Sequence, residues 1–129
     1  MNIILLYSSI LMLIAFCVLL WFYFKNKTLY YVIAIIAIIG IILGILNHGM
    51  SYKWCKYCDR LYMILSFFIY LYILHKFYDN KFYIFIIIPV IFYIIAKSIK
   101  NYNIKTLFHL LAHTSIVYFH FIILLNLKT

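Results

Sequence analysis

The chain has 129 residues, of which 70% are apolar, 22% aromatic and only 10% charged. A soluble domain is about 45–50% apolar and about 25% charged, so a soluble enzyme, a disordered tail and a disulfide-rich secreted module are excluded. The formal charge is +9, with no Glu and only two acids, Asp59 and Asp79, which removes paired-carboxylate chemistry. The basic residues stand in ones and twos at the ends of apolar runs, where cations anchor helices at headgroups, rather than in a patch that would bind nucleic acid.

Apolar runs at 3–24, 29–48, 60–77, 82–99 and 106–127 predict five transmembrane helices in a single all-α membrane domain over 1–129. Backbone groups facing lipid have no water to bond, so each run is expected to be helical despite its Ile and Val content. Only Met1 and Asn2 precede the first run, and it exceeds the length of a signal-peptide core, so it is expected to be retained as a helix. Pro89 in the fourth run is expected to kink a spanning helix; a re-entrant segment is the alternative. With five spans, one side of the membrane carries Lys53, Lys56, Arg60, Lys97, Lys100 and Lys105. The other carries Lys25, Lys27, Lys76, Lys81 and Lys128, and six against five leaves the orientation open.

Ionisable groups in such runs are costly and mark a cavity, a partner or a bundle interior. The second run ends in Gly40-Ile-Ile-Leu-Gly44-Ile-Leu-Asn47-His48. Gly40, Gly44 and His48 share a face, and small residues on a face let another helix approach closely, so His48 is expected to point into a helix contact. Cys55 and Cys58 form one CxxC in the connection that follows. It fits a zinc site shared with His48, a reducible pair, or two inert thiols; Cys17 lies alone in the first run. Asp59 opens the third run, where a helix N-cap is the simplest role for it. Asp79 sits between Lys76 and Lys81 and is expected to be solvated.

The last run carries His109, His113 and His120 on one face. Two histidines four apart can ligate one metal from a single helix. His120 lies about 16 Å further along and falls outside the same ligand shell. The alternatives are packing or headgroup contacts in a non-catalytic membrane protein, and a small transporter or proton relay along the three. In a five-span topology His48, Asp59, His109 and His113 fall on one side of the membrane at one depth, whereas His75 falls on the other. Three imidazoles and one open position make the catalytic zinc pattern, with Asp59 placed to orient the zinc-bound water or act as general base.

This combination resembles the CREST superfamily, membrane hydrolases that include alkaline ceramidases, adiponectin receptors and GPI-lipid remodelling proteins. The residues that carry the resemblance are His48, Asp59 eleven positions later, and His109-Leu-Leu-Ala-His113 opening the last helix, within roughly 40–65 and 106–121. The resemblance implies Zn2+ held by His48, His109 and His113. It implies that Asp59 supports hydrolysis of a lipid amide or ester, ceramide or another sphingolipid among them. The family's Ser falls on Gly44 here, so Asn47, Ser51 and Ser66 are candidates to replace its hydroxyl. The family has seven helices against five expected here, and pairing of two chains into a homo-oligomer stays open.

Overall fold

The structure, a computed structural model, describes residues 2–127; Met1, Lys128 and Thr129 lie outside it, and with them Lys128 of the charge count. Five α-helices follow one another: α1 Ile3–Phe22, α2 Thr28–Gly49, α3 Lys53–Phe77, α4 Tyr83–Ser98 and α5 Tyr102–Leu125, with one 3-10 turn, Asn80–Phe82, before α4. Among the described residues there is no strand, and α1, α2, α3, α5 and the segment Asn80–Ser98 are each long and apolar enough to cross a membrane. The protein is an all-α transmembrane bundle. Its outer surface is rich in Ile, Leu, Val and aromatic side chains, Leu11, Ile35, Phe68 and Ile94 among them, which suits contact with lipid instead of water.

The helix ends show why the breaks fall where they do. The Asn2 side chain accepts a hydrogen bond from the Leu5 amide (3.1 Å), and Asn101 accepts from the amides of Asn103 and Ile104 (3.0 and 3.2 Å). Each satisfies amides that the first turn leaves without partners. At the far end of α5, the Lys25 ammonium donates to the carbonyls of Leu124 and Leu127. Pro89 is buried within a continuous α4, which crosses the bundle rather than folding back.

α1 packs between α2 and α5, α2 also packs on α3, and α4 lies most extensively along α5. The order round the bundle is therefore α3, α2, α1, α5, α4, and the ring closes only sparingly between α3 and α4. The fully buried side chains Phe16, Ile33, Leu74, Ile123 and Leu124 belong to a core made of the start of α2 and the ends of α1, α3 and α5. The opposite end, where α1, α3 and α5 begin and α2 ends, holds the buried polar groups Ser9, His48, Asp59, Thr106 and His113.

Two local expectations change. α3 begins at Lys53 rather than near residue 60, so Cys55 and Cys58 sit on its first turns and not in a loop. Asp59 is consequently an interior residue of α3 and not its N-cap, a position occupied by Tyr52. The glycines of α2 serve several neighbours in turn. A Cβ on Gly40 would meet the Tyr62 ring of α3 at 3.1 Å, one on Gly44 would stand 4.0 Å from Ser9 Oγ of α1, and one on Gly49 would meet Leu6 at 3.2 Å. Close approach at Gly40 brings the Tyr62 hydroxyl onto the Ile36 carbonyl (2.7 Å), locking α3 against α2.

Candidate metal centre

The last turn of α2 and the first turns of α5 bring three histidines together. The rings of His48 and His109 are 5.1 Å apart, those of His48 and His113 5.6 Å, and those of His109 and His113 4.9 Å, centroid to centroid. One ring nitrogen from each lies within 4.8 Å of the other two, close enough to hold a single metal ion. His48 and His113 are buried and His109 is half-buried.

Hydrogen bonding separates these three from the other buried histidine. His120 has both ring nitrogens engaged: Nδ1 donates to the Ile116 carbonyl (2.8 Å) and Nε2 accepts from the Tyr70 hydroxyl (2.7 Å). It ties α5 to α3 and packs edge-on against Phe16 of α1 at 5.1 Å. Among the described residues no hydrogen bond reaches a ring nitrogen of His48 or His109, and His113 has only Nδ1 engaged, with Ser8 Oγ at 2.9 Å. Three imidazoles that converge with nitrogens to spare have the donor set of a metal site. Engaging Nδ1 of His113 leaves Nε2 as its ligand atom, and a hydroxyl behind a ligand imidazole fixes its tautomer and orientation.

A cavity of about 170 Å³ opens beside the triad. Asn47, Asp59 and, of the triad, His48 and His109 are among the residues that line it. Asp59 is buried and accepts a hydrogen bond from Asn47 Nδ2 on Oδ2 (2.7 Å), and among the described residues no hydrogen bond reaches Oδ1. Tyr93 of α4 lines the cavity as well, edge-on to His109 with centroids 5.7 Å apart.

The remaining candidates sort by place. Asn47 holds Asp59, so it is part of the site. Gly44 faces Ser9, whose hydroxyl is spent on the Leu5 carbonyl (2.9 Å). Ser51 is exposed in the connection between α2 and α3 and does not line the cavity, and Ser66 donates to the Met63 carbonyl (3.1 Å) from within α3. Neither replaces the hydroxyl missing at Gly44. The hydroxyl that does touch the triad is that of Ser8, on a helix that carries none of the signature residues.

Cys55 is buried, Cys58 is exposed and both are free thiols. Among the described residues the three histidines are the only set of three metal-ligating side chains close enough for one ion, so Cys55, Cys58 and His48 do not form a second. Thr114, Ser115 and Asn126 turn back to carbonyls of their own helix at 3.0, 2.9 and 2.9 Å, and His120 is fully bonded.

Comparison of the chain with known protein families, with curated proteins and with solved structures finds no match.

Proposed function

We propose that the protein is a zinc-dependent hydrolase of a lipid amide or ester, working within the membrane in the manner the CREST resemblance implies. One observation carries the reading: three imidazoles from two helices converge with free nitrogens beside a buried carboxylate that lines the same cavity. Three neutral nitrogen donors suit zinc. Zinc in such a site acidifies a water and polarises a carbonyl.

The chain's own groups supply the rest. His48, His109 and His113 would hold the ion, and Ser8, through its contact with Nδ1 of His113, would keep that ring in the ligating tautomer. Asn47 steadies Asp59 through Oδ2, so that Oδ1 takes the proton of the attacking water and returns it to the leaving group. The new bond joins the water oxygen to the acyl carbon, and the bond that breaks is the acyl C–N or C–O. The products are a fatty acid and the amine or alcohol that received the proton. Exposed apolar side chains on each of the five helices suit a substrate presented from the bilayer.

The test uses purified protein in neutral detergent and a panel of defined amide and ester lipids, with released fatty acid read by mass spectrometry. The reading requires release that stops with a chelator and returns with zinc. Asp59→Asn should lower the rate about 10²–10⁴-fold, the usual contribution of a general base, with zinc content unchanged. Release that ignores the chelator, or Asp59→Asn at the wild-type rate, would overturn it.

A further inference from the structure

Six cations lie at the end of the bundle that holds the histidines, and they are not evenly spread. Lys56 and Arg60 of α3, Lys97 of α4 and Lys105 of α5 all line the cavity, whereas Lys53 and Lys100 do not. Cations that only anchor helices at headgroups have no reason to converge, since like charges repel and each would do better facing its own lipid. The carboxylate in the cavity, Asp59, is hydrogen-bonded to Asn47 and leaves four cations facing one anion. Arg60 and Lys105 are half-buried, Lys56 and Lys97 are exposed, and the Lys97 ammonium lies over the ring of Tyr93 at 5.0 Å, which itself stands edge-on to His109. This is a positively charged mouth on a small polar chamber.

We infer that the cavity binds the phosphate of an anionic lipid, so that the substrate class is a phosphate-bearing acyl lipid rather than a neutral one. The inference rests on the hydrolase reading for what happens to the acyl bond, but the phosphate site stands on the rim alone. Arginine offers a planar fork and lysine a point charge to phosphate oxygens, and three helices supply them from different directions. The volume limits what enters. About 170 Å³ equals about five or six waters, room for a phosphate and the linkage next to it but not for acyl chains. The chains stay in the bilayer, and the sparing contact between α3 and α4, the helices that carry Arg60 and Lys97, is where a lipid can reach the chamber from the side.

Binding is tested apart from hydrolysis, on full-length protein in neutral detergent, with the His109→Ala variant to prevent turnover. The probes are dihexanoyl phosphatidic acid, dihexanoylglycerol with the same chains and no phosphate, and inorganic phosphate. The phosphate-bearing lipid should bind at least about tenfold tighter than the neutral one, with the margin shrinking as salt rises. Arg60→Gln with Lys97→Gln should abolish the preference. Lys53→Gln with Lys100→Gln, which removes the same charge from the same end, should keep it and controls for net charge, and thermal unfolding of both double variants controls for folding. Equal binding of the two lipids, or a preference that survives loss of Arg60 and Lys97, overturns the inference. Inorganic phosphate binding as tightly as the lipid overturns the lipid as its source. Fatty-acid release from neutral lipids without any phosphate preference would sink this inference and leave the hydrolase standing. A phosphate preference with no hydrolysis of any lipid by the wild-type protein would do the reverse.

Discussion

Ser8→Ala removes one hydroxyl from α1 and nothing else that the bundle uses. Its Oγ stands 2.9 Å from Nδ1 of His113, and this is the only side-chain hydrogen bond made by either atom among the described residues. With Nε2 committed to a metal, Nδ1 carries the proton and donates it to Ser8, so the serine selects the tautomer and stops the ring from turning. Losing such a partner behind a ligand imidazole weakens metal affinity about 10–100-fold, equivalent to about 1.4–2.7 kcal/mol. Ala forms helix at least as well as Ser, so α1 itself should not suffer. Zinc affinity is read by competition against a chromophoric chelator in detergent, with thermal unfolding of the apo-protein as control. The expected result is weaker zinc binding at unchanged apo-protein stability, rescued at least in part by Ser8→Thr. An affinity within twofold of wild type would refute the assignment of Ser8 as the residue that positions His113.

Three further outcomes follow from the same geometry. Tyr70→Phe leaves Nε2 of His120 without its partner, and an unpaired buried acceptor costs about 1–3 kcal/mol; the melting temperature should fall while zinc content holds, and a loss of zinc would tie His120 to the site after all. Gly44→Ser should fold and bind zinc normally, because a Cβ there has no neighbour nearer than Ser9 Oγ at 4.0 Å; failure to fold, scored by monodispersity in detergent, would mean that α1 and α2 are closer than described. Cys55→Ala with Cys58→Ser should leave zinc stoichiometry unchanged, and a drop measured by elemental analysis would restore the cysteine site.

The spans and the triad were legible because the sequence is so poor in polar groups. Five histidines and two acids in 129 residues make each exception conspicuous, and antiparallel topology alone puts His48, Asp59, His109 and His113 at one end. What pattern could not show was which helices touch. Ser8 reaches His113 across 105 positions of sequence through the packing of α1 on α5, and a lone serine in an apolar run looks like background. The adjacent Ser8-Ser9 pair, the only hydroxyls of their kind in the first run, was the available signal. The role of Asp59 shifted for a local reason. Lys53 to Cys58 continue the helix upstream of the apolar stretch, because a helix may project beyond hydrocarbon where polar side chains meet water and headgroups. Likewise, a count of cations per side carries no information on where they point, and only the bundle order separates Lys56, Arg60, Lys97 and Lys105 from Lys53 and Lys100.

Zinc stoichiometry tests the central claim most directly. Protein expressed with zinc present, purified in neutral detergent and measured by elemental analysis, should hold about one zinc per chain, as a three-imidazole site with one open position requires. The His48→Ala, His109→Ala and His113→Ala variants should each retain little of it while His120→Ala retains all. Wild-type protein that is folded and monodisperse yet holds no zinc, or a triple histidine variant that holds as much as wild type, would contradict the account.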